Sequence, residues 1–212
     1  TLVRRTGPYH RTALAVAVRE VFSVETTTDG IPVHGMLDPD ILRAMLRRAG
    51  VSDHAITGAM PELQRFAEQY YLEECPDLQY AACPGVHRLL ERLQRKRIPL
   101  ALVTGNFTRI GWHKLTRAGL AHYFSFGAFA ELAQTRAGLA ALAIVRVDAG
   151  RVYLVGDAPS DIEAARANGI ISVSVHTGVS TRDDLAALKP DYLIPSLRFF
   201  TLATRIEALQ PG

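Results

Sequence analysis

Val152-Tyr153-Leu154-Val155-Gly156-Asp157-Ala158-Pro159-Ser160-Asp161 is a short, continuously apolar run that stops at a glycine and delivers two carboxylates four residues apart. Such a run, bounded by a turn signal, predicts a strand buried on both faces. A helix starting near Ser160 and ending at Asn168-Gly169 follows, and residues 171–175 form the next apolar strand. The same alternation extends in both directions. Towards the C-terminus it gives a helix over 181–188, an edge strand over 192–194 and a closing helix to about residue 209. Towards the N-terminus it gives a turn at Asp148-Ala149-Gly150, a helix over 137–146, a strand over 124–129, a helix ending at Gly119, a strand over 98–103 and a helix over 86–97. Continuously apolar strands, each followed by a helix, indicate an α/β fold: a doubly wound parallel sheet covered on both faces.

Ahead of Cys83-Pro84-Gly85 the pattern is entirely helical. A helix over 12–22 carries Leu14, Ala17, Val18, Val21 and Phe22 on one face. Asp38 and Pro39 read as N-cap and first residue of a second helix, with Ile41, Leu42, Met45 and Leu46 as its buried stripe and Gly50 as its stop. Ser52 opens a third, which Pro61 is expected to divide into a short helix and a longer one running towards Glu74. Residues 10–80 are therefore expected to be a helical cap inserted into a core made of residues 1–9 and 81–212.

Composition narrows the function classes. Of 212 residues, 48% are hydrophobic and 21% charged, which excludes a disordered chain. The longest apolar stretches, 13–18 and 139–145, fall far short of the roughly 20 residues a membrane-spanning helix needs, so no membrane partner is expected. The net charge is +3, but the cations are scattered apart from Arg95-Lys96-Arg97, and no nucleic-acid partner is expected. Two cysteines, Cys75 and Cys83, make no C-x-x-C, and the expected home is cytoplasmic.

In open α/β sheets, ligands bind outside the carboxyl ends of the strands. Two such ends carry chemistry here. Thr104-Gly105-Asn106 places a hydroxyl, a glycine and an amide before a helix N-terminus, where backbone N–H groups suit a phosphate oxygen. Asp157 and Asp161 converge at the second end, and Mg²⁺ favours one or two carboxylates together with waters and substrate phosphate.

The order of these elements resembles the haloacid dehalogenase superfamily, in particular its phosphoglycolate-phosphatase-like members with a helical cap. The resemblance rests on VHGMLDPDILRAMLRRAG, PGVHRLLERLQRKRIPLALVTGN and, most specifically, GDAPSDIEAARANG. It implies that Thr104 hydrogen-bonds the transferring phosphoryl group, that Asp157 ligates Mg²⁺, and that Asp161 assists directly or through water. A lysine usually lies between these motifs. The chain's three lysines, Lys96, Lys114 and Lys189, fall elsewhere, and the residue that aligns is Arg136, whose guanidinium can grip phosphate with two N–H groups. The implied substrate is a small phosphorylated metabolite, handled by a monomer or homodimer.

The family's mechanism also implies an aspartate nucleophile in a D-x-D-G-T phrase at the tip of a first, central strand. Thr1-Leu2-Val3 resembles what directly follows that phrase, so the expectation is that the sequence is cut short and the nucleophile lies four positions before Thr1. Asp38-Pro39-Asp40 copies the D-x-D spacing but opens an amphipathic helix, and Asp29-Gly30 reads as a turn. Arg4, Arg5, His10, His34 and His176 are further residues near the expected rim. The leading expectation is a Mg²⁺-dependent phosphomonoesterase in its intact form. The alternatives are a non-catalytic relative that binds a phosphorylated ligand and a metal-independent dehalogenase, against which the paired acids argue.

Overall fold

Helix α1 (Tyr9–Phe22) buries Ala13, Leu14, Ala17 and Val18 against α3 (Asp53–Glu74), and α2 (Asp38–Arg48) packs on both through Ile41, Leu42, Met45 and Leu46. The computed structural model describes residues 1–4, 6–147 and 150–200. Arg5, most of the turn expected at 148–150 and the closing helix expected beyond residue 200 lie outside the described residues.

Two expectations for this layer are corrected. Pro61 does not divide the third helix, which runs unbroken for 22 residues. The ring removes one backbone bond at a cost of about 3 kcal/mol, but Ile56 and Leu63 straddle it on the buried face and, with Ala67 and Tyr71, keep both halves on one packing line. Asp38 does not cap its own helix. Leu37 is the N-cap residue, without a side-chain bond, and the Asp38 carboxylate, 1% exposed, turns away into the core.

The α/β part follows. Helix α4 (Val86–Arg95) leads to β1 (Ala101–Val103), α5 (Thr108–Arg117), β2 (Phe126–Ala128), α6 (Arg136–Ile144), β3 (Tyr153–Gly156), α7 (Pro159–Ala167), β4 (Ile171–Val175), α8 (Arg182–Ala187) and β5 (Tyr192–Ile194). All strand pairs are parallel: β1 with β2, β3 with β4, and β4 with β5. Helix α6 packs on β1 and β2 and against α7, which covers β3 and β4.

The described strands form two parallel ribbons rather than one continuous sheet. Strands β1 and β3 face each other without hydrogen bonds. A cavity of about 410 Å³, lined on one side by residues 100–103 and on the other by residues 153–155, lies between them. The helical layer joins this part through a short antiparallel bridge between Val3 and Ala82, where Arg4 N–H donates to Ala81 O (2.9 Å) and Cys83 N–H to Leu2 O (2.8 Å).

Candidate active site

Thr104, Asn106, Arg136, Asp157 and Asp161 all line the cavity between the ribbons, at the carboxyl ends of β1 and β3. Each reaches that place for a local reason. Thr104 continues the β1 ladder, its N–H donating to Ala128 O (3.1 Å), and its Oγ1 accepts from the Asn106 N–H (3.2 Å). Arg136 is the first residue of α6, whose N-cap Thr135 accepts from Gly138 N–H. Asp161 stands in the first turn of α7, and its Oδ2 accepts from the N–H groups of Asp157 and Ala158 (3.1 Å each). That carboxylate fills the space where a side chain at Gly156 would lie, so the glycine before Asp157 is a steric requirement.

The two acids differ in what they leave free. Asp161 Oδ1 sits 3.3 Å from Arg136 Nε, and its other oxygen is spent on the loop. The contact is one of charge: Arg136 Nε is buried and makes no hydrogen bond among the described residues. Asp157 Oδ1 accepts from the Thr1 hydroxyl (2.5 Å), and a Cβ at Gly178 would overlap Oδ2. The Asp157 carboxylate lines the cavity just past the end of β3 and offers the hard anionic oxygen that Mg²⁺ takes as a ligand, so the residue present fits that ion. Asp161 fits a supporting role better, because a metal would have to share it with Arg136 and two N–H groups. Among the described residues no group of three or more His, Cys, Asp or Glu side chains is placed to hold a metal ion.

The first N–H groups of α5 are not available to a phosphate, which corrects the reading of Thr104-Gly105-Asn106 as an open helix N-terminus. Phe107 N–H donates to Asp38 Oδ2 (2.8 Å), Thr108 N–H to Glu131 Oε1 (3.1 Å) and Arg109 N–H to Glu68 Oε1 (3.1 Å). Three carboxylates thus satisfy the positive end of this helix. The Asn106 amide is likewise engaged, with Asp38 and Lys114. Thr104 and Asn106 both line the cavity from this tip, and the Thr104 hydroxyl, whose oxygen accepts from Asn106 N–H, retains a proton to donate.

The helical layer lies across both tips. Asp38 N–H donates to Gly105 O (2.7 Å), Ser160 Oγ to Gly35 O (3.3 Å), and His34 Nε2 is 3.3 Å from Asp157 O. A Cβ at Gly105 would overlap the carbonyl oxygen of Met36. Residues 33–38 are therefore wedged over the site, and His10, on α1, reaches Asp38 (2.9 Å).

Sequence comparison gives a 33% identical relative, a phosphoglycolate phosphatase from Synechococcus elongatus, over 155 residues that cover 72% of this chain and 70% of that protein. A probable phosphatase IndB from Dickeya dadantii is 28% identical over 68% of this chain, and a phosphoserine phosphatase from Thermus thermophilus 29% identical over 77%. The chain spans just under two thirds of the length of the latter two, 64% and 63%. In fold, the chain superposes on β-phosphoglucomutase from Clostridium difficile with a TM-score of 0.71 at 17% identity, over 97% of this chain and 92% of that one. A predicted phosphoglycolate phosphatase from Haemophilus somnus gives 0.64 at 21% identity, over 93% and 91%. The model of the haloacid dehalogenase-like hydrolases matches residues 36–175, the span that carries Thr104, Arg136, Asp157 and Asp161 together, and the chain belongs to that family.

Proposed function

We propose that this hydrolase is a Mg²⁺-dependent phosphomonoesterase that acts on a small phosphorylated metabolite through a phosphoaspartyl intermediate. The observation that carries the reading is the convergence of the Thr104 hydroxyl, the Arg136 guanidinium and the Asp157 carboxylate on the rim of one cavity, beneath residues 33–38. The phosphatase relatives support the same substrate class.

Each group has a part that its surroundings permit. Thr104 donates its free proton to a phosphoryl oxygen. Arg136, beside Asp161 and with its Nε unbonded, offers its guanidinium N–H groups to the remaining oxygens. Asp157, with Asp161 behind it, would hold Mg²⁺, which neutralises charge on the phosphoryl group when bound. The attacking carboxylate would act from the cavity between β1 and β3, which these groups line. Residues 33–38 exclude bulk water from the reacting group.

The test is hydrolysis of p-nitrophenyl phosphate by the full-length native protein, with its N-terminus sequenced and its intact mass measured. The expected result is turnover that requires Mg²⁺ and is lost in Asp157→Asn. Saturable phosphate binding without turnover supports the non-catalytic alternative, and full activity of Asp157→Asn removes the metal assignment.

A further inference from the structure

Lys114 lies on α5, half-buried on the wall of the cavity, with its Nζ 2.7 Å from Asn106 Oδ1. Neither the composition of the site nor its metal and phosphate chemistry uses this lysine. Burial pushes its ammonium down, and Asp38 and Cys75 oppose that shift. The nearest carboxylate, Asp38, is reached only through Asn106, whose Nδ2 is 3.2 Å from Asp38 Oδ1. An ammonium only donates and a carboxylate only accepts, so the Asn106 amide between them has one permitted orientation. Reversing it would set donor against donor at Lys114 and acceptor against acceptor at Asp38. The rest of Asn106 is equally committed, since its N–H donates to Thr104 Oγ1 and its C=O accepts from Ala130 N–H (3.0 Å). A half-buried cation that lines the cavity and a buried anion from the helical layer thus fix one residue, and that residue orients the Thr104 hydroxyl.

We propose that Lys114 is a positioning residue of this site: acting through Asn106, it locks the Thr104-Gly105-Asn106 turn in its phosphate-facing form and ties that form to the docking of Asp38. The role rests on the hydrolase reading above. Lys114 touches no reacting atom. Its effect is to make the grip of the core on phosphate depend on the helical layer being in place.

The experiment uses the full-length native enzyme, p-nitrophenyl phosphate as substrate and inorganic phosphate as competitive inhibitor. Lys114→Met and Asp38→Asn are each expected to raise the inhibition constant for inorganic phosphate by about tenfold, the loss of one charge-assisted bond. The double variant is expected to lose clearly less than the product of the two single losses, because both substitutions act on the Asn106 amide, Asp38→Asn also loosening the contacts to Phe107 N–H and His10. Should Lys114→Met fail to fold, the isosteric Asp38→Asn reports on the same relay. A lower melting temperature with an unchanged inhibition constant in the folded variants means a purely structural lysine and overturns the proposal. So does a double variant whose loss is the product of the two single losses. A wild-type enzyme that neither hydrolyses the substrate nor binds phosphate overturns the hydrolase reading, and this role with it.

Discussion

Replacing Gly105 by alanine adds one methyl group at the point where the helical layer and the phosphate-facing tip meet. The added Cβ would overlap the carbonyl oxygen of Met36 and lie 3.3 Å from Leu37 Cα, both backbone atoms with no flexible end to yield. Relief requires the two segments to part by roughly 1 Å to reach van der Waals contact. The bonds stretched by that movement are Asp38 N–H to Gly105 O, at 2.7 Å, and Asp38 Oδ2 to Phe107 N–H, at 2.8 Å. The first is a neutral hydrogen bond worth about 1 kcal/mol net and the second a carboxylate bond worth about 2, so docking weakens by about 3 kcal/mol. For a protein of this length each kcal/mol moves the melting temperature by roughly 2–4 °C, which gives a fall of about 6–12 °C. Differential scanning calorimetry reads the fall, and amide hydrogen exchange at Asp38 and Phe107 locates it. A melt within about 2 °C of wild type, with both amides still protected, would refute the claim that these segments meet in van der Waals contact.

Two further perturbations address other parts of the fold. Gly58 lies inside α3 with open space where a Cβ would stand, so Gly58→Ala is expected to raise stability by about 0.5–1 kcal/mol in urea unfolding; no gain would contradict a continuous helix through this stretch. Burial pushes the Asp191 carboxyl up, but bonds from the Ser172 hydroxyl (2.7 Å) and N–H (2.8 Å), with Arg166 nearby, hold it below the usual carboxylate range. Its folded pKa lies below the unfolded value of about 3.9, so the stabilisation is complete above that value and is lost as pH falls through the folded pKa. Urea midpoints between about pH 5 and 2 should therefore fall less steeply in Ser172→Ala than in wild type, and parallel curves would remove the assignment.

The residues legible in the sequence are those whose surroundings are local. Asp157 and Thr104 follow continuous apolar runs, and a run of that kind fixes both the strand and the end at which its ligand site lies. Asp38, Glu68 and Lys114 were not legible as parts of the site, because their partners come from segments far away in the chain. Asp38 sits before Pro39 at the head of a helix, a position for which local capping is the ordinary explanation, and only the fold shows its carboxylate spent on Phe107. Lys114 did carry a usable signal. It is four residues after Ile110 and one before Leu115, at the edge of the buried face of α5, where a lysine half withdrawn from water calls for a partner. Pro61 misled for the opposite reason: its local rule is sound, and long-range packing against α1 overrides it.

The antiparallel bridge between Val3 and Ala82 has a mechanical and evolutionary consequence. The two connections to the helical layer are bonded side by side, so they cannot slide independently, and any swing of that layer is confined to bending of a two-ply ribbon. The ribbon also sets the ends of the inserted segment about 5 Å apart, the spacing of paired strands. Any helical unit whose own ends close to that distance can be exchanged at this joint without altering the register of a single core strand, which lets the helical layer diverge while the α/β part stays fixed.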